Sequence, residues 1–347
     1  MSAPATSGEM LLVRADASAT IGVGHAMRCL ALAEAWLDGG GDVTFAMNDV
    51  PDALARRIER AGARVSRVRS AEDTARVARE LGARFAVVDG YHLGAAHQEA
   101  LAGTRLLVID DAGETATTAA ALVLNQNAHA SPALYSALGS APELLLGPTY
   151  ALLRREFQAS AARPARATPA LARRVLVTFG GADTAQLAPR ALEALAPLDG
   201  LEVLLVAGAA NPHASALRAP AGACATIRVE IAVDDMAEKM RAVDLALIAA
   251  GSTSWELAAC GVPMLAVITA DNQRGVAGAI AELGLGESLG PADGLSAETI
   301  RDAVVRLAAD AEGRRRMARR GPEVIDGCGA QRVCAALRSA GGSGGAR

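Results

Sequence analysis

The sequence is short of aromatic side chains, of lysine and of long apolar runs. Four Phe, three Tyr and two Trp make up 3% of its 347 residues. Lys239 is the single lysine, so almost all of the 34 basic residues are arginine. No segment approaches the ~18–20 apolar residues that a membrane-spanning helix requires; the run Val243–Gly251 is interrupted by Asp244. A stable membrane association is therefore not expected. Met1–Glu9 has neither a basic stretch nor a long apolar one, so no signal peptide is expected. The cysteines, Cys29, Cys224, Cys260, Cys328 and Cys334, are odd in number and form no CxxC pair. That spacing excludes a disulfide framework and a zinc site, and the thiols read as small buried hydrophobes in a reducing cytoplasm. The net charge is -4, with the charges interspersed. A duplex nucleic acid needs a concentrated basic face, and none is present, so no nucleic-acid partner is expected.

Small residues fill the space. There are 35 Gly, and much of the 51% hydrophobic fraction is alanine, which buries little area per residue. The apolar content is nevertheless too high for disorder. The length suggests about two domains, each able to bury its own core.

Short β-branched or Leu-rich runs alternate with helical patterns. In the first half, strands are expected at Leu11–Arg14, Val43–Met47, Val65–Val68, Phe85–Val88, Leu106–Ile109 and Leu122–Leu124. Helices are expected over His25–Leu37 and Pro51–Arg60, with others between the later strands. Residues 159–172 carry Pro164 and Pro169 without apolar periodicity and read as a linker. A second series follows, with strands at Val175–Phe179, Val203–Val206, Thr226–Val229, Leu245–Ile248 and Met264–Ile268, and closing helices at Ala297–Leu307 and Arg316–Leu337. The alternation predicts two doubly wound α/β domains, over 9–158 and 173–340, with a ligand cleft between them.

Three strand-to-helix turns carry candidate chemistry. The first is Ile21-Gly22-Val23-Gly24-His25, following Arg14-Ala-Asp16-Ala-Ser18. Glycines there admit a ligand to backbone N–H groups, but Met27 stands where the dinucleotide fingerprint has its third glycine. His25 falls in the first helical turn, where the partial positive charge favours the neutral imidazole that a general base requires. A capping or packing histidine explains the spacing equally well. The second turn is Phe179-Gly180-Gly181-Ala182-Asp183, readable also as a tight turn capped by Asp183. The third is Gly251-Ser252-Thr253-Ser254-Trp255-Glu256. It suits a pyrophosphate at a helix start, with Glu256 on a ribose; a capping box of Thr253 and Glu256 fits as well.

Weaker signals are Asp110-Asp111, which cap or turn roles explain more simply, Asn125 and Asn127 after a strand, and Asp89-Gly-Tyr91-His92, which puts a phenol at a strand end. His97, His129 and His213 show no metal-ligand spacing and read as surface or packing residues. The tail Gly341-Gly-Ser343-Gly-Gly345 matches a nucleophile elbow only literally, since no strand precedes it. There is no Walker A lysine and no Asp-x-Asp motif, and neither cofactor nor metal is expected.

The ordered motifs add a resemblance. Arg14-Ala-Asp16-Ala-Ser and Ile21-Gly22-x-Gly24-His25-x-Met-Arg28-Cys-Leu30 resemble the start of the pseudaminic-acid pathway hydrolases, which cleave UDP-2,4-diacetamido-2,4,6-trideoxy-β-L-altropyranose to UDP and the free sugar. Val88-Asp-Gly-Tyr91, Ile109-Asp-Asp111, Leu124-Asn125-Gln-Asn127, Gly147-Pro-x-Tyr150-Ala-Leu-Leu-Arg154, Phe179-Gly180-Gly181-Ala-Asp183 and Asp271-Asn272-Gln273 continue it. The resemblance implies a GT-B architecture of two Rossmann-like domains. Val233-Asp-Asp-Met236, with Gly251 to Glu256, is similar to the nucleotide site of the lipid II N-acetylglucosaminyltransferase. That likeness implies a UDP site in which Val233 and Met236 flank uracil, Gly251, Ser252 and Thr253 meet the phosphates, and Glu256 meets the ribose.

The implied reaction is inverting hydrolysis at the anomeric carbon. His25 would deprotonate water, Asn272 would orient it, and Tyr91 would lie near the sugar. The matching motifs imply further substrate contacts at Asp16, Gly22, Gly24, Arg28, Asn125 and Asn127, and at Tyr150, Arg154, Gly180, Gly181 and Gln273. A GT-B glycosyltransferase with a UDP-sugar donor, or a non-catalytic nucleotide-sugar sensor, would share the nucleotide site. The oligomeric state is left open.

Overall fold

A computed structural model describes residues 8–339, apart from positions 19–20, 115, 118, 139–141, 164–165, 182, 184, 209–210, 218–225 and 232. Ala182, Cys224, Pro164 and the Gly341–Gly345 tail lie outside the described residues. The chain divides into two compact units, 1–155 with 328–347, and 156–327.

The first unit runs β1 (Met10–Ala15), α1 (Gly24–Asp38), β2 (Asp42–Met47), α2 (Asp52–Arg60), β3 (Arg64–Arg67), α3 (Ala71–Glu80), β4 (Phe85–Asp89), α4 (Ala95–Glu99), β5 (Arg105–Ile109), β6 (Leu122–Asn125) and β7 (Glu143–Leu146). Its parallel sheet has the order β3-β2-β1-β4-β5-β6-β7. Buried parallel strands show continuous apolar runs because both faces are covered. Leu11 and Val13 accordingly enter one core, and Leu12 enters a second core across the sheet. Alanine is the packing filler of α1: Ala26, Ala31, Ala33 and Ala35 are buried beside Trp36.

The second unit begins in α5 (Arg155–Ala161) and continues β8 (Arg174–Thr178), α6 (Leu187–Leu195), β9 (Glu202–Ala207), β10 (Ile227–Ile231), α7 (Met236–Ala242), β11 (Leu245–Ala249), α8 (Thr253–Ala259), β12 (Met264–Ile268), α9 (Arg274–Glu282), β13 (Gly286–Pro291), α10 (Ala297–Ala309) and α11 (Ala311–Val324). Its parallel sheet has the order β10-β9-β8-β11-β12-β13. Both sheets thus share the Rossmann-like order in which the fourth strand lies beside the first. No helix among the described residues is long and apolar enough to cross a membrane.

The structure differs from the sequence reading in one helix, in the domain limit, in the linker and at two edge strands. The expected helix Arg316–Leu337 is two helices, α11 and α12 (Gly329–Ser339). Pro322 lies in the last turn of α11, and Gly327 takes φ 79° in the break, a conformation glycine adopts without a Cβ penalty. The expected domain limit at 340 is corrected by α12, which belongs to the first unit, where Val333, Cys334 and Leu337 join the core of α1. The expected linker 159–172 is tied to the second unit: Arg166 donates to Asp244 at 2.6 Å, and Arg314 donates to the carbonyl of Pro169 at 2.6 Å. Polar anchoring of backbone, rather than apolar periodicity, holds that segment. The edge strands β7 and β13 were not expected.

Candidate active site

In the first unit the chain leaves β1 toward β2 and β3 and returns as β4 on the other side of β1. Such a switch point leaves a crevice outside the carboxyl ends of the two strands. Ala15 pairs with Asp89 there, so the residues after β1 and those ending β4 are neighbours. The turn after β1 is closed by Gly22 N–H donating to Ser18 O at 2.8 Å, and Gly22 takes φ 80°, where a Cβ would be strained. The turn delivers His25 into the first turn of α1.

His25 reaches across to β4. Its Nδ1 lies 2.7 Å from Asp89 Oδ1, and Asp89 is fully buried. Burial pushes the Asp89 carboxyl up, but the Arg28 guanidinium and the His25 hydrogen bond outweigh it, and the carboxyl sits well below the usual carboxylate range. An ionised carboxylate only accepts hydrogen bonds. The short contact therefore assigns the proton of a neutral His25 to Nδ1 and leaves the Nε2 lone pair available, the tautomer of a general base. The charge of Asp89 opposes that of the helix terminus and orients the ring.

Arg28, one turn along α1, is committed to carboxylates. Its Nε donates to Asp89 Oδ2 at 2.6 Å and its Nη2 to Oδ1 at 2.7 Å, and its Nη1 donates to Asp111 at 2.8 Å. Asn127 Nδ2 donates to Asp111 Oδ1 at 2.9 Å and to Asn125 Oδ1 at 3.0 Å. Asn125 is held in turn by Tyr135, whose hydroxyl donates to Asp110 O at 2.6 Å. Tyr91 is half exposed, stands edge-on to the His25 ring at 5.1 Å, and donates to Asp111 at 3.4 Å. His25, Arg28, Asp89, Tyr91, Asp111, Asn125 and Asn127 thus form one connected network.

Asp16 makes a separate buried group. It accepts both Nη1 and, through its second oxygen, Nη2 of Arg14 at 2.7 Å, Asn48 N–H at 2.7 Å, and His92 Nε2 at 2.8 Å. Burial raises its pKa, but the hydrogen bonds from Arg14 and His92 dominate and hold it at about 2. Tyr150 lies elsewhere, packed against the core that α1 and α12 share, and Arg154 is buried in the segment that follows.

In the second unit, Gly180 turns the chain after β8 at φ 80°, and Asp183 accepts the N–H groups of Leu187 and Ala188 at 2.9 and 3.0 Å, which caps α6. Gly181 is approached so closely by Gly208 that a Cβ on Gly208 would fall 2.4 Å from its backbone. Gly251 follows β11, the neighbour of β8, and a Cβ there would meet nothing within 4 Å. The capping-box alternative needs Thr253 as N-cap. The helix begins one residue earlier, with Ser252 as an N-cap that makes no side-chain cap bond, so that alternative is corrected. Glu256 is half-buried one turn into α8. Val233 and Met236 are half-buried at the start of α7. Asn272 is exposed in the turn after β12, which Gln273 fastens by accepting from Thr269 N–H at 2.9 Å. A cavity of about 230 Å³ opens there, lined by Thr269, Asp271, Arg274 and Asp293 among others. Another, of about 550 Å³, lies over β8–β10 and α7, and none of the residues that line it is a candidate site residue.

The sequence reading passed over Asp89, because only the phenol of its motif drew notice, and set Asp111 aside as a cap or turn. The cap role belongs to Asp110, which accepts Gly113 N–H at 2.9 Å and Ala116 N–H at 2.9 Å. The available signal was a strand-final aspartate in a series that also held a Gly-x-Gly-His turn.

Two Rossmann-like units of this kind place the chain in the GT-B fold class. No family model matches the sequence. The chain is 29% identical over 195 residues to the spore coat polysaccharide biosynthesis protein SpsG of Bacillus subtilis, a similarity that spans 55% of this chain and 57% of that protein. Among solved structures it is similar to MurG of Acinetobacter baumannii, with a TM-score of 0.63 at 16% identity over 96% of this chain and 99% of the other. It is likewise similar to HepE of Anabaena in complex with UDP-glucose, with a TM-score of 0.63 at 15% identity over 95% and 99%. The structural likeness establishes the fold.

Proposed function

We propose that the chain is a cytoplasmic nucleotide-sugar hydrolase that splits a UDP-linked 2,4-diacetamido-2,4,6-trideoxy sugar into UDP and the free sugar, ahead of pseudaminic or related nonulosonic acid synthesis. The observation that carries the reading is the His25–Asp89 pair at the switch point, a histidine oriented by a buried carboxylate with Nε2 left to act. Its other support is the similarity to a polysaccharide biosynthesis protein and to a fold solved with UDP-glucose.

In this reading a water molecule gives a proton to His25 Nε2 while its oxygen bonds to the anomeric carbon. The bond from that carbon to the β-phosphate oxygen breaks, UDP keeps the electron pair, and the sugar leaves with inverted configuration. Tyr91 borders the sugar, and Asn272 orients the water. Val233 and Met236 flank uracil, Gly251, Ser252 and Thr253 meet the phosphates, and Glu256 accepts from the ribose hydroxyls. Backbone N–H groups at the start of α8 carry the charge that develops on the leaving UDP.

The test is product identity. Incubation with the UDP-sugar, followed by proton NMR, is expected to show UDP and the inverted free anomer without an acceptor. Product that forms only when an acceptor is added would favour a GT-B glycosyltransferase, and full activity of His25→Ala would sink the mechanism.

A further inference from the structure

The switch point holds a second histidine–carboxylate pair that the mechanism above does not use. The two pairs cross. His25, after β1, reaches Asp89 at the end of β4; His92, after β4, reaches Asp16 just past β1, with Nε2 2.8 Å from Oδ2. Ala15 and Asp89 are register partners, so both pairs stand on the same two strand ends. The carboxylates are alike in burial and in guanidinium support: Asp89 is 0% exposed and held by Arg28, and Asp16 is 3% exposed and held by Arg14. Arg14, Asn48 N–H and His92 together hold Asp16 as a buried ion, and the same bond fixes the orientation of the His92 ring. The backbone makes room for that ring. A Cβ at position 90 would stand 3.0 Å from His92 Cε1 and 3.2 Å from its Nδ1, and Gly90 occupies the place.

We propose that His92, oriented by Asp16, is a second substrate-contacting histidine of the first unit, one that accepts a hydrogen bond from a hydroxyl or amide N–H of the glycosyl group. The acceptor role follows from the pairing. Asp16 remains ionised above about pH 2 and only accepts, so the proton of a neutral His92 lies on Nε2 and the lone pair on Nδ1. Nδ1 has no partner among the described residues, and 41% of the side chain is exposed. A ring held in this way selects for a polar hydrogen in the sugar and against a deoxy position. The inference rests on the nucleotide-sugar reading and deepens it.

The test uses the full chain with the UDP-linked 2,4-diacetamido-2,4,6-trideoxy sugar and with UDP alone. The ring resonances of His92 are expected to shift when the UDP-sugar is added and to stay in place with UDP. His92→Ala is expected to lose about 10-fold or more in kcat/KM, with UDP affinity unchanged, and external imidazole should restore part of the rate. Gly90→Ala, which keeps the imidazole but displaces it, should lose rate in the same direction without imidazole rescue. If the UDP-sugar moves the His25 resonances but not those of His92, and His92→Ala turns over normally, the role of His92 is overturned while the hydrolase reading stands. If the UDP-sugar binds and shifts His92 but is never turned over, the hydrolase reading falls and the contact stands. If the UDP-sugar does not bind, both fall.

Discussion

Asp89 and Asp16 stay charged in the interior because each faces a guanidinium, and that pairing joins stability to chemistry in the first unit. Asp89→Asn replaces an acceptor with a group that can donate, so the His25 ring loses the bond that fixes its tautomer. Turnover is expected to fall by ~10²–10⁴-fold with UDP affinity unchanged, measured by kinetics and calorimetry. The same change leaves Arg28 short of a counter-charge, and a loss on the order of 3 kcal/mol in urea unfolding should accompany it. Asp16 sets a pH dependence. Its folded pKa, about 2, lies below the ordinary 3.8, so its stabilisation is full above about pH 4 and is lost as the pH falls toward 2. The shift is worth about 2 kcal/mol. The gap in unfolding free energy between the wild type and Asp16→Asn should therefore narrow from pH 5 to pH 2; a gap that does not change would contradict it. His25 was legible as a candidate because glycine turns before helices are local patterns. Its partner was not, since the neighbourhood of Asp89 and His25, 64 residues apart, depends on which strand lies beside β1.

At the scale of elements, most strands were legible because buried parallel strands are apolar throughout, as in Val43–Met47 and Met264–Ile268. The two that were not expected are edges. β13 contains Gly286, Gly290 and Pro291 and is no apolar run, whereas the Leu-rich β7 carried the same signal as the four-residue β6 and was legible. Packing explains β13: a Cβ on Gly286 would fall 2.2 Å from Met264 O in β12. Gly286→Ala should therefore separate β13 from β12 and lower the thermal midpoint of the second unit, with faster amide exchange in both strands as the check. The helix α12, expected as the end of one long helix, owes its separate place to shape. Gly329 lets it approach Ala151, where a Cβ would fall 2.3 Å from the carbonyl oxygen, and Leu337 is fully buried in the core that holds α1. Leu337→Ala is expected to cost ~2–5 kcal/mol. Circular dichroism during urea unfolding should show the loss in the first unit, although the residue lies beyond the second in sequence.

For the whole molecule, length and the strand–helix alternation announced two α/β halves, and each sheet has its own buried core. The boundary was hidden because a returning C-terminal segment leaves no mark in composition: alanine packs α1 and α12 as it packs α6 and α9. The second unit, by contrast, is continuous in sequence from Glu156 to Gly327. Its core of β8, β9, β11 and β12 strands with α6 and α10 is complete without help from the rest. All six residues assigned to UDP, Val233, Met236, Gly251, Ser252, Thr253 and Glu256, lie within it. A protein made from residues 156–327 alone is therefore expected to fold and to bind UDP. A ligand that binds only the native state raises stability by about 2.7 kcal/mol at a hundred times its Kd, so UDP should lift the melting temperature of the isolated unit, and Glu256→Gln should weaken that effect. The isolated unit should not release free sugar from the UDP-sugar, because His25 is absent. Should the full chain bind UDP while a folded 156–327 does not, the nucleotide assignment to this unit would be wrong.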